Sequence, residues 1–67
     1  ENNADLWYNA ACTYALMGEA MRGLLALEKA IQLDDENRNY AMQDPELEAL
    51  QKHKRFWKLV KQNQNEL

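Results

Sequence analysis

The sequence predicts an all-α fold, and three observations carry that expectation. Apolar residues recur at i, i+3, i+4 and i+7 in two successive stretches, the spacing of a helix buried on one face. Only one proline and two glycines interrupt the chain. Gly18 and Pro45 stand where helices would stop and start. At 67 residues the chain is one domain at most, and its surface-to-volume ratio leaves little room for a self-sufficient core. Hydrophobic residues at 46% beside charged residues at 28% place it with folded helical proteins rather than disordered chains.

The first helix is expected over residues 4 to 17. Asn3 offers a cap, and the carboxylate of Asp5 falls in the first turn, where the positive end of the helix favours it. Its apolar face reads Trp7, Ala10, Ala11, Tyr14 and Met17. A short Gly18-Glu19 turn follows. Ala20, Gly23, Leu24, Leu27, Ala30 and Ile31 then repeat the pattern through about residue 33, giving a second helix. Glycine inside a helix costs roughly 1 kcal/mol relative to alanine, so Gly23 is expected to make room for a side chain of the first helix, Trp7 or Tyr14. Ala10, Ala11, Gly23 and Ala30 then form the small-residue contacts of an antiparallel hairpin. Leu6, Leu16, Leu25 and Leu33 lie partly off this seam and need a second surface.

Residues 34 to 43, DDENRNYAMQ, show no clean period and read as a connecting loop. DPELEAL restarts the helix, with Asp44 as cap, Pro45 at the first helical position, Glu46 and Glu48 near the positive end, and Leu47 and Leu50 facing inward. An amphipathic closing helix is expected over about 53 to 62, with Phe56, Trp57, Leu59 and Val60 on one side and lysines on the other. The amides after it are expected to fray. The organisation is thus a hairpin unit over 1–37, a linker over 38–43 and a closing segment of two short helices over 44–67.

The net charge of −3 conceals an asymmetry. Residues 1–51 carry ten acids against Arg22, Lys29 and Arg38, whereas residues 52–67 carry Lys52, Lys54, Arg55, Lys58 and Lys61 against Glu66 alone. Most such charges form a solvated face. The single cysteine, Cys12, excludes an internal disulfide and a cysteine cluster, which favours a reducing intracellular compartment, the cytoplasm or an organelle interior. Opening on Glu1 fits a fragment or a processed product, and no apolar run is long enough to span a bilayer.

The residues Trp7-Tyr-Asn-Ala10-Ala11-Cys-Thr-Tyr14, then Gly18, then Ala30-Ile-Gln-Leu33-Asp34, resemble a tetratricopeptide repeat over residues 4–37. Gly23 stands where that family usually has alanine, Leu27 where an aromatic is common and Asp35 where proline is common, departures typical of a terminal unit. DPELEALQKHKRFWKLV is similar to the extension that covers the open end after a last repeat, and Leu47, Leu50, Phe56, Leu59 and Val60 are then expected to cover Leu25 and Leu33. At the other end nothing covers the first helix, so preceding repeats, a partner subunit or self-association would supply its neighbour.

The resemblance implies a non-catalytic protein-interaction or assembly scaffold, with Asp5, Tyr8, Cys12, Ala15 and Leu16 facing the partner groove. The family's carboxylate clamp has a lysine and an asparagine where Tyr8 and Cys12 stand here, so capture of chaperone C-terminal tails is not implied. Tyr8 and Leu16 suit an amphipathic helix or an extended peptide, with Asp5 at the edge for a basic residue. The alternative is a small structural subunit held in a larger complex through the uncovered face of its first helix.

No cofactor is implied, and no enzyme. His53 is the only histidine, it sits among lysines, and serine is absent. No basic neighbour in sequence lowers the pKa of Cys12. Asp34, Asp35 and Glu36 lack the spacing of a calcium loop, so no metal is expected there. Nucleic-acid binding would rest on Lys52, Lys54, Arg55, Lys58 and Lys61 with Phe56 and Trp57 between them, but Phe56 belongs to the apolar side and a pI of about 5.0 disfavours phosphate.

Overall fold

A computed structural model describes residues 3–61. These residues are all-α. Helices α1 (Asn3–Leu16) and α2 (Ala20–Leu33) form an antiparallel hairpin; α3 (Asn37–Gln43), a 3-10 turn (Pro45–Leu47), α4 (Glu48–Gln51) and α5 (Lys54–Val60) follow. Residues 62–67, part of the expected closing segment, lie outside the described residues, as do residues 1 and 2.

The hairpin turn is set by backbone chemistry. Gly18 takes φ +81, the left-handed region that suits glycine, and the Glu19 amide donates to the Tyr14 carbonyl at 2.8 Å across it. Asn3, expected as the cap, is itself helical.

The buried stripe of α1 is Ala4, Ala11, Cys12 and Ala15, turned away from the expected Trp7–Tyr14–Met17 line. Trp7 is 41% exposed, with the Lys29 ammonium 5.9 Å above its ring, and Met17 is also exposed. Small side chains explain the rotation, because the two helix backbones approach where α1 presents alanine and α2 presents Gly23, while the rings of Trp7 and Tyr14 lie along the flank of α2.

Gly23 does make room for a side chain, but not one from α1. A Cβ placed there would stand 2.9 Å from Leu50 Cδ2 and 3.4 Å from the Ala11 carbonyl oxygen. The leucine of α4 therefore fills the gap that sequence spacing suggested for Trp7 or Tyr14. Leu27, Leu47, Leu50, Phe56 and Val60 are fully buried and complete the core with Ala11, Cys12, Ala15, Leu24 and Ile31.

Two expectations are corrected here. Residues 37–43 are helical rather than part of a linker: α3 buries only Asn37 and Ala41, so its single inward turn leaves no period to read. The closing segment leaves Leu25 62% and Leu33 51% exposed, because it packs on the face carrying Gly23, Leu24 and Leu27 instead; Leu59, expected inside, is half-buried.

Polar bonds tie the short elements together. The Gln51 side-chain amide donates to the carbonyls of Ala41 and Asp44, both at 2.9 Å, and its own backbone carbonyl accepts from the Trp57 indole at 2.8 Å. Trp57 stands edge-on to Phe56 with ring centroids 4.8 Å apart. Asn37 donates to the Ala30 carbonyl at 3.0 Å, and Arg38 reaches both the Asp35 carboxylate and the Leu59 carbonyl. Among the described residues no buried side-chain polar atom lacks a partner.

Leu50→Ala is expected to cost about 2–5 kcal/mol through the cavity left against Gly23, and Gly23→Leu about 1–3 kcal/mol by overpacking. Because each change relieves the other, the double variant should recover about 1 kcal/mol or more over the sum of the singles in urea denaturation. Additive losses would mean that the two positions do not share one space.

Candidate functional site

An open cleft lies between α1 and α3. Asp5, Tyr8 and Asn9 line it from α1, Asn37, Tyr40 and Gln43 from α3, with Asp44 and Pro45 at its end. α1 places Asp5, Tyr8 and Asn9 on one side of the helix, at the i, i+3, i+4 spacing that brings side chains together. Asp44 stops α3 in an extended conformation, with ψ 114, and Pro45 turns the chain into the 3-10 turn.

Asp44 is the hub of this end of the molecule. One carboxylate oxygen accepts the Glu46 amide at 2.9 Å, the cap foreseen for it, and the other accepts the Tyr8 hydroxyl at 2.8 Å. The Cys12 sulfur lies 4.0 Å from the latter oxygen. Burial, then the hydrogen bond to Asp44 and its negative charge, holds the Tyr8 phenol far above its ordinary range, so it stays a donor. Burial, with the charges of Asp44 and Glu46, pushes the Cys12 thiol up to about 12. Burial and the neighbouring carboxylates thus disfavour the Cys12 thiolate at neutral pH.

Of the five positions implied by the resemblance, the structure brings Asp5 and Tyr8 to the cleft. Cys12 is buried beneath it against Asp44, Ala15 is buried in the core, and Leu16 is 71% exposed at the far end of α1. The five therefore do not form one open groove. Sequence reasoning missed Asn9, Tyr40 and Gln43, since Tyr40 and Gln43 fell in the stretch read as a loop. The repeat resemblance carried a usable signal, since one repeat period of about 34 residues after residue 4 falls within α3.

Ligand atoms of Cys12, Asp44 and Glu46 lie within 4.8 Å of one another, a donor set that sequence reading did not bring together. Both Asp44 oxygens already accept hydrogen bonds within the chain, one from the Tyr8 hydroxyl and the other from the Glu46 amide. At the other acidic stretch Asp34 accepts the Glu36 amide at 3.1 Å and Asp35 pairs with Arg38 at 2.6 Å. His53 is exposed at the start of α5. Phe56 is buried and Trp57 half-buried, so neither aromatic of the basic segment is laid open for stacking on bases.

Both raised groups have the same linkage sign. The unfolded chain ionises Cys12 near pH 9 and Tyr8 near pH 10, whereas the folded chain resists. The stability associated with the protonated groups is complete below about pH 9 and declines as pH rises from there toward about 12. The melting temperature should therefore fall above about pH 9, and Cys12→Ala and Tyr8→Phe should each flatten that fall. An identical alkaline slope in wild type and both variants would remove these groups from the linkage.

Neither a family model nor a solved structure matches the chain. It is similar to a curated protein of Arabidopsis thaliana whose name describes it as chloroplastic, at 42% identity over 55 residues. That alignment covers 82% of this chain but 16% of the relative, so the chain spans less than a fifth of that protein's length.

Proposed function

We infer that this chain is a terminal tetratricopeptide-like unit serving as a protein-interaction or assembly scaffold, without chemistry of its own. The observation that carries the reading is the 34-residue step from the start of α1 to the start of α3, which equals the length of one such repeat. On this reading α3 is a shortened first helix of a further unit, and the 3-10 turn, α4 and α5 close the stack. The α1/α3 cleft is then the ligand groove. Its amides suit the backbone of an extended peptide, and Asp5 and Asp44 favour a basic residue on it.

Exposed apolar side chains outside the cleft support the same reading. Leu6 is 68% exposed, and Leu16, Met17 and Leu33 are exposed as well, an apolar excess that a preceding helical unit would cover. Similarity to a small part of a much longer protein fits a module within a larger chain, and the word chloroplastic in that protein's name favours an organelle interior here. No helix among the described residues is long and apolar enough to cross a membrane.

The same apolar excess favours a second reading, a small structural subunit held permanently in a complex. Sedimentation equilibrium with circular dichroism over a wide concentration range tests the shared premise. The chain is expected to associate as concentration rises, and Leu6→Glu with Leu16→Glu should return it to a helical monomer. A monomer at every concentration, unchanged by the two substitutions, would overturn the assignment of that face as an interface. If helicity is lost with dissociation the structural-subunit reading gains; a helical, cooperatively melting monomer favours the scaffold.

A further inference from the structure

A second surface shares no residue with the α1/α3 cleft. An open groove runs between α2 and α5. Its floor is aliphatic: Met21, Leu24, Leu25 and Leu59, of which Met21 and Leu25 are more than half exposed. Its α5 wall is basic, formed by Arg55 and Lys58, with Lys61 just past the helix end and its ammonium 5.4 Å from the centroid of the Trp57 ring. Glu28 on the α2 side is the one acid among its lining residues.

We propose that the α2/α5 groove binds an acidic amphipathic helix of a partner protein, its aliphatic anchors on Met21, Leu25 and Leu59 and its carboxylates on Arg55 and Lys58. Charge complementarity selects this occupant. Arg55 and Lys58 form no ion pair with any described residue, so their charges are available to a ligand, and three cations face the single carboxylate of Glu28. Glu28 repels acids on the α2 side and so directs the ligand's charged flank toward α5. An aliphatic floor rewards leucine-like anchors at helical spacing. It offers no ring on which a base can stack, because none of its lining residues is aromatic.

This inference goes beyond the scaffold reading, and either can fail alone, since the groove does not include Leu6 or Leu16. The test is titration of the isotopically labelled chain with a synthetic peptide of about four helical turns, leucines at i, i+3, i+4 and i+7 and glutamates flanking them. Amide shift changes are expected at Met21, Leu24, Leu25 and Leu59, with affinity falling as salt rises. Arg55→Glu with Lys58→Glu should weaken binding at least about tenfold. Met21→Glu should weaken it comparably while leaving the fold intact, because glutamate suits the first turn of α2; circular dichroism checks the fold of each variant. Four results would each overturn the proposal: no binding at millimolar peptide, equal binding of a lysine-flanked version, shift changes confined to the α1/α3 cleft, or equal binding by a single-stranded oligonucleotide or phosphatidylglycerol vesicles.

Discussion

The insertion of Leu50 into the gap above Gly23 is the contact on which the rest of this structure depends. Two helices of fourteen residues each form a hairpin, but a pair joined through alanines buries too little apolar surface to hold by itself. Leu50 comes from a helix of only four residues, which would not persist alone in water. Each part therefore needs the other. The hairpin supplies a slot shaped by Gly23 and the Ala11 carbonyl, and the closing segment supplies the side chain that fills it. The helical cost of glycine at position 23 is offset by packing that no residue with a Cβ would admit without displacing Leu50.

Getting Leu50 to that slot is the work of polar groups. Asp44 caps the 3-10 turn with one carboxylate oxygen and receives the Tyr8 hydroxyl on the other, which anchors the returning chain to α1 a few residues before Leu47 and Leu50 enter the core. Gln51 then links the end of α3, the turn and the Trp57 indole. Bonds of this kind contribute about 1 kcal/mol each, and more where a carboxylate accepts. Their larger effect is on specificity, since each would leave a partly buried polar group unpaired if the segment slipped by one residue. The same arrangement bears on Cys12: burial, with the Asp44 carboxylate beside it, raises the pKa of the thiol.

The elements legible in the sequence were those long enough to show a period or marked by a special residue. The hairpin, its Gly18 turn, the Asp44-Pro45 start and the inward Leu47, Leu50, Phe56 and Val60 all have such signals. Local spacing did not reveal rotation about the helix axis. In α1 both the Trp7–Tyr14 line and the Ala4–Ala11–Ala15 line have helical spacing, and only the close approach of α2 at Gly23 decides between them. α3 was hidden because a seven-residue helix with one inward turn shows no repeat. The cleft was legible only in its α1 half. Asp5 and Tyr8 follow from the repeat resemblance, whereas Tyr40 and Gln43 depend on α3 being a helix, and Cys12 and Ala15 fell inside because the closing segment returns over them.

The charge asymmetry of the sequence becomes a spatial separation in the fold. Asp5 and Asp44 belong to the α1/α3 cleft, while Arg55, Lys58 and Lys61 belong to the α2/α5 groove. Long-range fields fall off over about 8 Å at physiological ionic strength, so each surface is steered chiefly by its own charges rather than by the net −3 of the chain. A basic peptide drawn to the cleft is repelled by the groove, and an acidic one meets the reverse. If both surfaces bind as proposed, their opposite charge keeps them from competing for one ligand. On the proposed reading, the exposed Leu6 and Leu16 of α1 would be covered through shape and apolar burial rather than charge.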